Sequence, residues 1–325
     1  MSSIRTVGIV GCGAIGASWA ALFVAQGLKV KVFDINPAAE IYLRNFIRDA
    51  LPVLSSIGLV NNADAKPEDV VFTTQLPQAL QDADFVQENG PERIDFKRRL
   101  FQEMGHLLQP DVIIATSSSG LTCSSIQEGM DAGAGPQRCV VGHPFNPPHL
   151  IPLVEVVGGT QTDPTVTHRT VEFYHSLGKQ PIRLKKEVPG HVANRVQAAV
   201  MREVFHILQQ DVCDVQDIDD AISHGPGLRW GVMGPNMLFH LGGGGGGIEH
   251  FADHLLGPLQ TWYAPENPVV DESLKQRWID GMRSSISGRQ YVELAKQRDE
   301  ELVRLLNIRK DWDAFAQDEK GENFA

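Results

Sequence analysis

Cysteine is scarce in this chain: four residues in 325, at positions 12, 123, 139 and 213, with no C-x-x-C pair. That spacing supports neither a disulfide framework nor a thiolate zinc site, and the four read as reduced, small apolar residues. No apolar run reaches the roughly 20 residues that a membrane span requires. Basic residues are outnumbered, 29 against 40 acidic ones, for a formal charge of -11. Without a basic surplus to neutralise phosphates, the composition speaks against a nucleic-acid or anionic-membrane partner. An acidic chain that takes an anionic small molecule must hold it with a few local cations. The N-terminus offers no signal peptide, because its apolar stretch belongs to a glycine-bearing motif, and the C-terminal ENFA matches no targeting signal. The expected compartment is the cytoplasm, and no metal site is expected.

What is present starts with the first forty residues. Ile4–Val10 is a short β-branched run that reads as a buried strand. Gly11, Gly13 and Gly16 follow in G-C-G-A-I-G, then an apolar stretch at helical spacing, then a second apolar run, Leu28–Phe33, ending on Asp34. This is strand, glycine turn, helix, strand, acid, within the length of one βαβ unit. Gly11 permits the tight turn, Gly13 lets the backbone approach a pyrophosphate, and Gly16 lets helix and strand pack closely. The helix N-terminus, at Ala14 and Ile15, adds unpaired N–H groups and a partial positive charge. Asp34 lies 23 residues after Gly11 and can accept hydrogen bonds from an adenosine ribose diol. Its charge would repel a 2′-phosphate, and Ile35 and Asn36 bring no Arg to hold one, so the expected cofactor is NAD rather than NADP.

Further strands are expected at Val70–Thr73, Phe85–Gln87, Val112–Ala115 and Cys139–Gly142, with Leu153–Val157 and Ile182–Leu184 at an edge. Helices are expected at Pro37–Leu54, Arg93–Leu108 and Pro164–Leu177, the last capped by Asp163. The alternation implies a doubly wound α/β domain with a mostly parallel sheet. At Val188-Pro189-Gly190 the character changes, and beyond it there is almost no strand signal. Helices are expected at His191–Gln210, Val215–His224 and Glu272–Leu306, with the six glycines of Gly242–Gly247 as a flexible loop. The expected division is a nucleotide-binding domain over residues 1–188 and an all-α domain over 189–325. The length suffices for two cores.

Four features outside the glycine motif carry chemistry. Ser117, Ser118 and Ser119 follow the fifth strand at its carboxyl end, where ligands sit in open α/β sheets. His143 is expected just after the sixth strand, in a proline-rich turn, and Glu155 lies twelve residues on, inside an apolar strand. Asn194 and Arg195 stand in the opening turns of the helix that begins the second domain. Singly these have ordinary structural readings: a turn, a hydrogen-bonding His, a helix cap. Together they match what oxidation of a hydroxyl needs: a base, a carboxylate to orient it, and donors to hold the oxygen as it becomes a carbonyl.

The combined pattern GxGxxG–Asp34, QENGPERIDFK, ATSSSG, HPFNPPHLIPLVEV and PGHVANR resembles the 3-hydroxyacyl-CoA dehydrogenase family over nearly the whole chain. The resemblance implies a Rossmann domain followed by a helical substrate and dimerisation domain, NAD as cofactor, and a homodimer. It implies Ser119, His143, Glu155 and Asn194 as the catalytic set, with His143 as base and Glu155 as its partner. Glu92 and Lys97 match positions that approach the cofactor. PPHLIPLVE is similar to the lambda-crystallin branch, which oxidises L-gulonate, and to the carnitine dehydrogenases. Arg229, in GPGLRWGVMGP, stands where CoA-specific members carry an apolar residue, and a guanidinium can fork onto a free carboxylate. The expected activity is therefore oxidation of the 3-hydroxyl of a short free hydroxy acid, with Ser119, Asn194 and Arg229 touching substrate. The alternatives are a CoA-thioester dehydrogenase and an NAD-binding, crystallin-like structural protein.

Overall fold

In the computed structural model, which describes residues 4–318, the N-terminal part of the chain builds one eight-stranded sheet. Its strands are β1 (Thr6–Val10), β2 (Lys29–Phe33), β3 (Val70–Thr73), β4 (Phe85–Glu88), β5 (Ile113–Thr116), β6 (Cys139–Pro144), β7 (Leu153–Gly158) and β8 (Gln180–Arg183). The spatial order is β3-β2-β1-β4-β5-β6-β7-β8. Strands β1 to β6 are parallel, β7 is antiparallel to β6, and β8 is parallel to β7. The strand order reverses between β1 and β4, and that switch point is where an open sheet of this kind leaves a crevice.

Helices cover both faces, which is why β1, β4, β5 and β6 are buried along their whole length. They are α1 (Ala14–Ala25), α2 (Ala39–Ser56), α3 (Leu76–Leu80), α4 (Ile94–Leu107), α5 (Cys123–Gln127) and α6 (Pro164–Ser176). Neighbouring strand residues face opposite layers. Phe85 meets Phe173 of α6 at 4.5 Å between ring centroids, within an aromatic stack that includes Trp19, Phe23 and Tyr174. Val86, on the other face, packs with Leu100, Phe101 and Met104 of α4 and Ile126 of α5. Helix α1 is apolar all round and buried from Gly16 to Ala25, so its first turn is held rigidly at the switch point.

The chain divides into two compact units that meet between Arg195 and Val196. Residues 189–195 stay with the sheet, where the amides of Val192 and Ala193 donate to Glu155 on β7. Helix α7 (Ala193–Gln209) starts in the first unit. The second continues with α8 (Val215–His224), α9 (Pro226–Trp230), α10 (Pro235–Gly242), α11 (Gly247–Gln260), α12 (Glu272–Ile286) and α13 (Tyr291–Asp318). Val204, Leu208, Val215, Ile218 and Leu274 form its core, with Phe205 against Trp278 at 5.4 Å. The C-terminal ENFA lies outside the described residues.

Several expected boundaries move. Helix α2 begins at Ala39, so Pro37 is not its first residue. The expected Glu272–Leu306 helix is two helices, broken where Ser287 and Gly288 adopt left-handed φ of 50° and 77°. The six-glycine tract is not a loose loop but a 3-10 turn, Gly244–Gly246, between α10 and α11. It closes tightly, since a Cβ on Gly243 would lie 1.8 Å from the Gly247 carbonyl oxygen. Strand β6 runs on through Pro144, which places His143 inside the sheet rather than in a turn after it.

Candidate active site

The glycine turn leaves β1 at the switch point. Gly11 sits at φ 93°, and a Cβ there would meet the Asn89 backbone at 2.9 Å. A Cβ on Gly16 would lie 1.9 Å from the Gly11 carbonyl oxygen, so α1 can pack this close only with glycine. Gly13 is different: a Cβ there would have nothing within 4 Å. It is exposed, and it begins a helix with no side-chain cap and no acid in its first turn. The N–H groups of Ala14, Ile15 and Gly16 are thus available to a pyrophosphate, and the residues fit a dinucleotide. Asp34, at the end of β2, closes the other side. Its Oδ2 accepts from the Cys12 amide at 2.8 Å and its Oδ1 from the Asn36 amide at 2.9 Å. Burial and the Asp34 charge push the Cys12 thiol up to about 12, so it stays protonated and inert.

The catalytic candidates assemble on neighbouring strands. His143 on β6 and Glu155 on β7 are direct cross-strand partners in the antiparallel ladder. Alternation puts both side chains on the same face. Glu155 Oε2 accepts from His143 Nδ1 at 2.9 Å, and Ser119 Oγ lies 3.1 Å from His143 Nε2. The other carboxylate oxygen, Oε1, accepts from the amides of Val192 (2.8 Å) and Ala193 (3.0 Å). Burial would raise the Glu155 carboxyl, but the bonds from His143 and these two amides more than offset it and hold it below the ordinary carboxylate range. An ionised Glu155 can only accept, so the proton of neutral His143 sits on Nδ1. Nε2 then keeps its lone pair towards Ser119. Asn194 follows Ala193 directly and is half-buried in the first turn of α7.

The three serines have three different partners. Ser117 Oγ donates to Asn89 at 2.7 Å and accepts from Gln87 at 2.8 Å, within a buried network that ends on the Tyr174 hydroxyl. Ser118 Oγ donates to Glu92 at 2.6 Å, and Ser119 alone faces His143. Glu92 Oε1 also accepts from the Gly120 amide at 2.8 Å. Burial raises the Glu92 carboxyl, and the hydrogen bonds from Ser118 and Gly120 together with the Lys97 charge bring it below its usual value.

Lys97 sits under the turn that follows β4. Its ammonium is buried and donates to both oxygens of Glu88, at 2.9 and 2.8 Å, and to the Gly90 carbonyl at 3.3 Å. Glu92 lies 3.9 Å away. The ammonium is thus spent on shaping the turn after β4. Glu88 also accepts from Thr116 Oγ1 at 2.6 Å and from the Gly90 amide at 2.6 Å. Breaking such a buried pair costs roughly 3–5 kcal/mol. Sequence reasoning missed Glu88, although it lies within the quoted QENGPER run.

It also missed His191, read there as the first residue of a helix. His191 is buried, precedes α7, and adopts a left-handed φ of 51° right after Gly190 at 74°. Its Nε2 donates to the Ser118 carbonyl at 3.0 Å, and its ring lies 4.9 Å from that of His143. Its Nδ1 has no hydrogen-bond partner among the described residues. Burial, the largest effect, and the neighbouring His143 lower the imidazole below its ordinary value, so His191 is neutral near pH 7. Arg229 is exposed in the last turn of α9, in the second unit. Among the described residues no group of His, Cys, Asp and Glu could hold a metal ion.

A glycine-rich turn at a switch point, an acid at the end of the second strand, and a Ser–His–Glu line across β6, β7 and the end of β5 define a nicotinamide-dependent dehydrogenase acting on a CH–OH group. Residues 6–188 match the NAD binding domain of 3-hydroxyacyl-CoA dehydrogenase and residues 190–279 its C-terminal domain, so the chain belongs to the 3-hydroxyacyl-CoA dehydrogenase family. It is similar to L-carnitine dehydrogenase of Streptomyces coelicolor, 41% identical over 94% of each chain. It is also similar to a 3-hydroxyacyl-CoA dehydrogenase of Gibberella moniliformis, 39% identical over 93% of this chain and 94% of that one. Among solved structures, 5-formyl-3-hydroxy-2-methylpyridine 4-carboxylic acid 5-dehydrogenase, an NAD+-dependent dismutase, superposes with a TM-score of 0.81. It is 29% identical, and the match covers 94% of this chain and 98% of that one.

Proposed function

We propose that the chain oxidises the 3-hydroxyl of a short free hydroxy acid, of the L-carnitine or L-gulonate type, to the 3-keto acid. The observation that carries this is the line Ser119 Oγ–His143 Nε2, His143 Nδ1–Glu155, which orients the imidazole with Nε2 towards Ser119. In this reading His143 takes the hydroxyl proton at Nε2, and Glu155 stabilises the imidazolium that results. Ser119 and Asn194 hold the substrate oxygen as it becomes a carbonyl. Gly11, Gly13, Ala14, Ile15, Gly16 and Asp34 would hold NAD, which would supply the hydride acceptor. Glu92 and Lys97 order the turn beside it, Lys97 through Glu88. The free-acid preference is supported by the carnitine dehydrogenase relatives and by the Arg229 argument from sequence. A CoA thioester is the second reading, favoured by the Gibberella relative.

Replacing His143 with Gln tests the assignment. Turnover is expected to fall by about 100-fold or more, the usual contribution of a positioned base, while NAD affinity measured by protein fluorescence stays within twofold. Undiminished turnover would make His143 structural. A homodimer in the cytoplasm belongs to the same proposal. The second unit exposes Trp262, Tyr263, Val269 and Val270, apolar surface that a lone subunit leaves in water. Sedimentation velocity is expected to give twice the 35.7 kDa chain mass, and a monomer at micromolar concentration would contradict it.

A further inference from the structure

We propose that the turn Gly190–His191 is a clamp that sets the orientation of the His143 base by holding both of its hydrogen-bond partners, with His191 as the positioning residue. This rests on the reading of His143 as base. His143 is held on Nδ1 by Glu155 and on Nε2 by Ser119. Both partners are tied to the same short segment. The Val192 and Ala193 amides donate to Glu155 Oε1, and His191 Nε2 donates to the carbonyl of Ser118, the residue before Ser119. The left-handed backbone at His191 sends its side chain to the β5 end while the next two amides turn to β7. A non-glycine residue with a φ of 51° is strained, and such strain persists where surrounding contacts over-determine it.

The side chain type also matters. A carbonyl acceptor at Ser118 requires a donor, and the imidazole is buried to 2% exposure, so water does not readily replace it. The charged groups that face His191 are Glu92 and Glu155, with His143 as the titratable neighbour. Burial keeps His191 uncharged, so it orients the base without placing a second positive charge beside the imidazolium that catalysis forms.

The test compares His191→Phe, His191→Gln and His143→Gln in the full chain, with L-carnitine, 3-hydroxybutyrate and 3-hydroxybutyryl-CoA as probes. Phe keeps the ring volume and removes the donor, whereas Gln keeps a donor. The Phe variant is expected to lose at least tenfold in kcat, with the NAD dissociation constant within twofold of wild type. The Gln variant is expected to recover most of that loss. Nitrogen-15 NMR of the histidines reads the same point without turnover. His143 is expected as a single Nδ1–H tautomer in wild type and the Gln variant, and as a mixture in the Phe variant. A Phe variant with wild-type kcat and an unchanged His143 tautomer overturns the clamp, and so does a Gln variant no better than Phe in both measurements. If His143→Gln keeps its activity, the base reading itself falls and the clamp's catalytic role falls with it. If His143→Gln is inactive while His191→Phe is normal, the clamp alone is wrong.

Discussion

At the scale of single residues, the cofactor choice is proposed to rest on Asp34. Two of its acceptor positions are taken by the Cys12 and Asn36 amides, which fix the carboxylate at the mouth of the glycine turn. Asp34→Ala is expected to weaken NAD about tenfold, close to one charge-assisted hydrogen bond. The same change should narrow the preference over NADP by removing the like-charge repulsion. Unchanged selectivity in a fluorescence titration would sink the assignment. Asp34, His143 and Glu155 were legible in the sequence because each stands at a motif position whose residue type is dictated by chemistry. Glu88 and His191 were not. Glu88 ends β4 and finds its partner nine residues on, across a turn and the start of α4, a contact that only folding creates. His191 next to a helical pattern reads as helix, and nothing local announces a left-handed φ or a bond to Ser118, 73 residues away.

At the scale of elements, hydrophobic runs located the sheet well and its ends poorly. Strands β3 and β4 were readable from short β-branched or aromatic stretches, whereas β6 extends to Pro144 because the returning β7 supplies an antiparallel partner for His143. That pairing is tertiary, and no window of β6 alone contains it. The connection between these two strands is held by Lys179, at the foot of β8. Its buried ammonium donates to the carbonyls of Pro148 and Ile151 and lies 5.6 Å from the Trp19 ring centroid. Burial pushes Lys179 down to about 7 from 10.5. Between those values the unfolded chain holds a proton that the folded chain lacks, so this residue makes stability rise with pH across that window. Compared with Lys179→Met, the wild-type chain is expected to gain in thermal midpoint from pH 7 to pH 10. A constant difference across that range would mean the ammonium stays charged when folded.

At the scale of the whole molecule, the division of labour follows from composition and order along the chain. The strand-rich half builds the sheet and the complete Ser119–His143–Glu155 line, and Asn194 stands in the first turn of the helix that leads out of it. The helical half was readable as helical, but its subdivision was not. The turn at Gly244–Gly246 and the break at Ser287–Gly288 depend on backbone φ values that a glycine permits without requiring. With a formal charge of -11, the protein as a whole repels an anionic substrate at long range, so a free carboxylate needs a local cation. The sequence offers Arg229 for that role.

The proposed free-acid activity is tested by steady-state NADH production by wild-type protein and Arg229→Met, against L-carnitine, L-gulonate, 3-hydroxybutyrate and 3-hydroxybutyryl-CoA. Turnover of one free acid with the thioester poor is expected, together with an Arg229→Met variant whose KM for that acid rises about tenfold or more, the loss of a bidentate carboxylate pair. A marked preference for the thioester, or a KM for the free acid untouched by Arg229→Met, would contradict it.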